Sequence, residues 1–299
     1  MRKPFLGALA ALALLGAGAA PAVAATGQDA TATATAQSTS ARSAPAAQHG
    51  PKPVDFAGTV ALSNCSGSLV RLPQSRPGDA GLILSNGHCI VEQDMPGAGE
   101  VVVDVPSKRT FSLLNGKAEK VGTLTASKLA YATMTDTDIS LYRLTDSYAA
   151  IEKKYGIKAL ELDTKHPRKG RDITVVSGYW KKTYACNIDG FVYRLKEDEW
   201  TWKDSVRYTS ACQTIGGTSG SPVIDNRTGK VTAVNNTGNE DGERCTINNP
   251  CEVTKQGKVT VRQGINYAQQ TYGIARCVSA NSRIDLDRWG CRLPQPAKK

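Results

Sequence analysis

Three residues of this sequence have the types that together make an unreactive hydroxyl a nucleophile. His88 closes the run Leu84-Ser85-Asn86-Gly87-His88-Cys89, Asp138 stands directly before Ile139-Ser140-Leu141, and Ser219 lies in Gly216-Gly217-Thr218-Ser219-Gly220-Ser221-Pro222. A serine attacks a carbonyl well only when a base takes its proton during the attack. An imidazole is such a base near neutral pH, and a carboxylate on its other ring nitrogen sets the tautomer and stabilises the imidazolium. Gly216, Gly217 and Gly220 let the backbone turn tightly, so that the N–H groups of Gly217 and Ser219 can converge on an oxyanion. The chain has only three histidines: His49 sits in an Ala/Ser/Thr/Gln stretch and His166 in the hydrophilic turn Thr164-Lys165-His166-Pro167. The chemistry therefore falls to His88. Asp138 is preferred to Asp136 because it abuts the apolar Ile139 and Leu141, where a buried carboxylate can face a histidine.

The elements that must hold these groups read as strands. Gly58 to Leu62, Gly67 to Leu72, Gly81 to Leu84, Glu100 to Val105, Lys120 to Leu124 and Ile139 to Leu144 are short, apolar and bounded by turn residues, the pattern of all-β sandwiches and barrels. Asp172 to Gly178, Phe191 to Leu195 after an Asp189-Gly190 turn signal, Val206 to Ser210, Pro222 to Asp225, Val231 to Val234 and Lys258 to Val261 continue it. One stretch differs: Tyr148, Ile151 and Tyr155 recur at helical spacing between Ser147 and Gly156, which predicts a short helix linking two β-lobes. The lobes would run from about 54 to 150 and from about 160 to 276, with His88 and Asp138 on the first, Ser219 on the second and the site between them.

The first 24 residues have the parts of an export signal: Arg2 and Lys3, an apolar segment from Phe5 to about Leu15, and small residues at Ala22 and Ala24. Residues 25–53 carry almost no large apolar side chain and are expected to be a disordered propeptide or linker. No later segment is long enough to be a membrane span. The mature chain is thus expected outside the cell, soluble, monomeric and free of membrane. Its eight cysteines, at 65, 89, 186, 212, 245, 251, 277 and 291, are an even number in an exported chain and read as disulfides. No Cys-x-x-Cys pair or histidine cluster suggests a metal site, and no cofactor is expected. The acidic side chains at Glu240, Asp241 and Glu243 lack the spacing of a calcium loop. The formal charge of +10 falls by the two lost with Arg2 and Lys3 to +8. Its basic residues are scattered, with no nucleic-acid motif, so no nucleic-acid partner is expected.

The chain order His, Asp, Ser excludes two competitors. The α/β-hydrolases place their histidine last, yet no histidine follows Ser219. A subtilisin order would need His166, which Pro167 keeps out of a helix. The three motifs together resemble the chymotrypsin-like (trypsin-fold) serine peptidases, in a form similar to the bacterial secreted branch that includes glutamyl endopeptidases, over roughly 55 to 275. That resemblance implies two antiparallel six-stranded β-barrels with the active site in the cleft between them. It implies an acyl-enzyme mechanism with Ser219 as nucleophile, His88 as base and acid, Asp138 as its partner, and a Cys65–Cys89 bond beside the histidine. Proximity suggests the pairs Cys186–Cys212, Cys245–Cys251 and Cys277–Cys291, the last clipping a C-terminal tail from 277 to 299. Thr218 stands where animal relatives carry an activating aspartate. Gln213 stands where trypsin-like members carry an acid, and Thr214, Asn235, Asn236 and Thr237 complete the expected substrate pocket, with Asn235 in place of the histidine of glutamyl endopeptidases. The expected partner is a protein or peptide substrate. The alternative is a catalytically silent member of the fold that binds a protein or an anionic cell-surface polymer.

Overall fold

The computed structural model describes residues 53–297, and the expected export signal and the linker up to residue 52 lie outside the described residues. Two closed antiparallel cycles of six strands account for most of it. In the first, β1 (Thr59–Ala61), β5 (Thr110–Leu114), β6 (Lys120–Thr133), β7 (Ile139–Ser147), β3 (Ala80–Ser85) and β2 (Ser66–Arg71) pair in that order, and β2 returns to β1. β4 (Val101–Pro106) adds to β6, and β8 (Leu160–Glu161) lies parallel to β2. The second cycle runs β11 (Trp200–Tyr208), β16 (Asn266–Gln270), β13 (Val231–Gly238), β12 (Pro222–Asp225), β9 (Asp172–Ser177) and β10 (Lys182–Glu197), with β10 closing on β11. β14 (Cys251–Val253) and β15 (Val259–Val261) extend it from β10. The chain is thus an all-β double barrel.

Side-chain alternation explains how both barrels share one core. Ile83, Leu69 and Tyr142 point into the first barrel with Phe111, Leu113 and Leu124. Their chain neighbours Leu82, Leu84, Val70 and Leu141 point outward against Val176, Ile224, Val231 and Val234 of the second. Strands buried on both faces read as continuous apolar runs, which is why Gly81-Leu82-Ile83-Leu84 has no polar interruption.

The helix α1 spans Tyr148–Tyr155: the Ser147 side chain accepts from the Ala150 N–H, and Gly156 ends it in the left-handed region at φ 68°. The Asp189-Gly190 pair is not a turn. Both residues lie inside β10 at a register shift between Ile188 and Gly190, where Arg207 Nε donates to Asp189 at 2.6 Å and its guanidinium covers the space a Gly190 side chain would need. The hairpin reverses instead at Asp198, which takes φ 47° between Glu197 and its partner Trp200. Beyond Ile274 the chain packs back on the first barrel: Ser282 Oγ donates to the Ala80 carbonyl at 2.6 Å, and the Tyr131 hydroxyl donates to Pro294 O at 3.0 Å. β17 (Val278–Ser279) and β18 (Arg283–Ile284) form a small hairpin there, clipped by Cys277–Cys291.

Candidate active site

His88 sits in a single 3-10 turn, Gly87–Cys89, directly after β3. The turn lies so close to β6 that a Cβ on Gly87 would fall 2.2 Å from the Thr133 carbonyl oxygen. Asp138, fully buried before β7, grips the turn three times. Its Oδ1 accepts from the Gly87 N–H at 2.6 Å and the His88 N–H at 3.1 Å, and its Oδ2 faces His88 Nδ1 at 2.6 Å. A carboxylate cannot donate, so Nδ1 carries the proton and Nε2 is left as the acceptor. Burial works against the imidazolium, but the charge and hydrogen bond of Asp138, with a further contribution from Glu197, outweigh it and hold the His88 pKa above the usual 6.5. Asp136 is engaged elsewhere, pairing with Lys203 at 2.5 Å.

Two supports fix the backbone behind the imidazole. Cys65 and Cys89 are bonded, and their sulfurs lie within 4.8 Å of a His88 ring nitrogen. Arg109, buried, donates from Nη1 to the Cys89 carbonyl at 2.7 Å and to the Tyr142 hydroxyl at 2.8 Å, and from Nη2 to Asn64 at 2.7 Å.

Ser219 belongs to the second barrel, in the turn before β12. Its carbonyl accepts from the Ser66 N–H at 2.8 Å, docking the turn on the first barrel. Gly220 takes φ +78°, and a Cβ there would fall 2.1 Å from Ser66 O and 2.2 Å from Ser85 Oγ. That contact demands glycine on both conformational and steric grounds. Gly217, at φ +84°, and Ser219 donate their N–H groups to no acceptor among the described residues, while Trp180 Nε1 holds the Gly216 carbonyl at 2.7 Å. The Ser219 hydroxyl donates to the Asn236 carbonyl at 3.3 Å and forms no hydrogen bond with His88. It must leave that carbonyl to reach Nε2, and such bonds often tighten only when substrate is bound.

The structure joins these groups through a residue that motif reading passed over. Asn86 is fully buried; its Nδ2 donates to the Asp138 carbonyl at 2.7 Å, and its Oδ1 accepts from the Gly220 N–H at 2.5 Å. One side chain thus ties the aspartate of the first barrel to the serine turn of the second. A polar residue two positions before His88 in an apolar run is the signal that marked it.

Beside Ser219 is a cavity of about 50 Å³ lined by Thr214, Asn235, Asn236, Thr237, Asn248, Asn266 and Glu240, among others. Gln213 does not join it: the residue is exposed, and its amide folds back to donate to the Ser210 carbonyl at 2.6 Å. Asn235 has a supporting place, with Nδ2 donating to Thr218 O and Oγ1 and Oδ1 accepting from the Tyr208 hydroxyl. No lysine or arginine lines the cavity among the described residues. All eight cysteines are paired, as 65–89, 186–212, 245–251 and 277–291.

Two closed antiparallel barrels, with a histidine–aspartate pair on one and a glycine-bounded serine on the other, define the chymotrypsin-like class. The chain belongs to the trypsin-like peptidase domain family, whose model matches residues 65–234, and it is a serine endopeptidase acting on peptide or protein substrates. No curated protein sequence matches it. Among solved structures it is similar to the active form of the Rv3671c protease from M. tuberculosis, at 12% identity over 82% of this chain and 90% of that one, with a TM-score of 0.46. The MamO protease domain from Magnetospirillum magneticum aligns at 11% identity over 75% and 97%, with a TM-score of 0.46. A Glu endopeptidase aligns at 14% over 72% and 85%, with a TM-score of 0.41.

Proposed function

We propose that this endopeptidase is secreted and cleaves peptide bonds by way of an acyl-enzyme, with Ser219 attacking the scissile carbonyl. His88 Nε2 takes the hydroxyl proton and returns it to the leaving amine, Asp138 orients the ring and stabilises its cation, and the Gly217 and Ser219 amides receive the oxyanion. The observation that carries this reading is the 2.6 Å contact of Asp138 Oδ2 with His88 Nδ1, which leaves Nε2 as a free base. Four disulfides, together with an export-type leader, support secretion. Among the described residues no helix is long and apolar enough to cross a membrane.

The residue ahead of the scissile bond enters the cavity beside Ser219. That cavity is small and polar, with Glu240 among its lining residues and no lysine or arginine, so small uncharged side chains fit it and acidic ones find no cation to pair with. The test is labelling of purified, folded protein with a fluorophosphonate probe, followed by peptide mapping, beside Ser219→Ala. Adduct on Ser219 that the substitution abolishes is the expected result. Absence of labelling would instead favour the silent reading, in which the Ser219 hydroxyl stays on Asn236 O.

A further inference from the structure

Four carboxylates are buried among the described residues: Asp138, Glu197, Asp225 and Glu252. A buried charge is costly unless something of opposite sign faces it. Asp225 pairs with Arg171 at 2.9 Å, Glu252 with Arg207 at 2.8 Å and Arg262 at 3.0 Å, and Asp138 with His88. Glu197, at the tip of β10 and 7% exposed, forms no ion pair among the described residues. Its contacts are neutral. Oε2 accepts from the Thr237 hydroxyl at 2.6 Å, and Oε1 accepts from the Asn248 N–H at 3.0 Å. Both partners line the cavity beside Ser219.

The hairpin that carries Glu197 is driven against the first barrel. Trp200 and Trp202 of β11 pack with Leu195 and with Met134, four residues before Asp138, and Trp200 Nε1 donates to the Pro96 carbonyl at 2.9 Å. This docking sets the hairpin against the segment that leads into Asp138, and the charge of Glu197 adds to that of Asp138 in favouring a proton on His88. Burial in turn pushes the Glu197 pKa up, opposed by Thr237, the Asn248 amide and the charge of His88.

We propose that Glu197 is a positioning residue of the peptidase site, holding the Thr237 and Asn248 wall beside Ser219 while presenting to His88 a second negative charge from the barrel opposite Asp138. The inference rests on His88 being the base. As the proton moves from Ser219 to His88, a positive charge develops within the field of this carboxylate, to which the described residues offer no ion pair, and is stabilised by it on the way to the acyl-enzyme. Other charges nearby are occupied or solvated. Asp136 pairs with Lys203, Glu92 bonds Ser107 and Tyr142, and Asp94, Asp198, Glu199, Glu240, Asp241, Glu243 and Arg244 are exposed.

Glu197→Gln separates charge from shape, because a glutamine oxygen still accepts from Asn248 while its NH2 donates to the Thr237 hydroxyl. The titration of His88 is read by NMR in the full chain carrying Ser219→Ala, where self-cleavage is abolished and only three imidazoles need assignment. Removing the charge is expected to lower the His88 midpoint by about half a pH unit. With Ser219 intact, the acid limb of kcat/KM should move down equally and the plateau of kcat should fall by about threefold. Thr237→Val, which breaks the wall contact and keeps the charge, should raise KM and leave the limb in place. An unmoved His88 midpoint in folded Glu197→Gln overturns the inference, whether or not the enzyme turns over. A wild-type chain that neither labels nor cleaves would instead sink the reading of the site itself.

Discussion

Asp138 spends both of its oxygens on the histidine turn, one on the ring and one on the backbone amides of Gly87 and His88. The raised pKa that results has a direct consequence for rate. In the proposed mechanism only the neutral imidazole accepts the serine proton, so the acid limb of kcat/KM should have its midpoint above pH 6.5, and activity should be greatest on the alkaline side. A rate profile from pH 5 to 10 checks this, and a midpoint below 6.5 would mean that desolvation wins over Asp138. Asp138→Asn keeps the shape but lets the amide donate to Nδ1 and reverses the tautomer; the corresponding change in the trypsin-type template costs about 10⁴-fold in kcat. Asn86 should matter through position alone. Asn86→Ala strips the buried Asp138 carbonyl of a donor and leaves Gly220 N–H with only its second acceptor, the Asn235 carbonyl. Leaving such groups underpaired costs about 1–3 kcal/mol. The expected result is a lower melting temperature together with a kcat loss that exceeds any change in KM. In the sequence Asn86 shows only as a polar residue closing an apolar run, and Glu197 not at all, because each acts across the cleft on a partner more than a hundred residues away and no local pattern says which partner that is.

Among the elements, the serine turn is held by the missing side chain of Gly220. An alanine there must displace either the Ser66 backbone or the Ser85 hydroxyl and must also adopt a positive φ, so Gly220→Ala should lose activity and several kcal/mol of stability. Gly216→Ala, four residues earlier, meets nothing within 4 Å of the new methyl and should melt within a few degrees of the wild-type protein. Thermal melts of the two side by side test whether the close approach to Ser66 is what fixes the turn. The elements that could be read in advance are the apolar ones. β3 and β7 appeared as Gly81 to Leu84 and Ile139 to Leu144 because both their faces are buried. β16, Asn266–Gln270, was missed because three of its five residues are amides; they are buried nonetheless or nearly so, with Asn266 donating to the Cys212 carbonyl and Gln269 to Ser205 Oγ. The long β10 shows only in part, since its first half exposes the polar or small Lys182, Thr183, Ala185 and Asn187 and its Asp189-Gly190 bulge mimics a turn.

At the scale of the molecule, the site exists only where the barrels meet, and the same interface is a core. Val70, Leu72, Leu82, Leu84, Tyr131 and Leu141 of the first barrel are 0–1% exposed because Val176, Ile224, Val231, Val234 and Ile274 cover them. Neither barrel can bury those faces alone, and at about 25 cal/mol per Å² of apolar surface, exposing them would cost a single barrel several kcal/mol at least. The barrels should therefore unfold together. In urea, the fluorescence of Trp200 and Trp202, which report on the β10–β11 hairpin and its contact with Met134, should fall in one transition with loss of probe labelling at Ser219. Labelling that disappears at lower urea than the fluorescence change would mean that the barrels part before either melts, leaving a first barrel that holds the His88–Asp138 pair and a second that holds a serine with no base. With Leu84→Ala, which empties the interface without touching the site, the two signals should shift together, by about 2–5 kcal/mol. A shift in labelling alone would show that the interface positions the serine without carrying the stability of the fold.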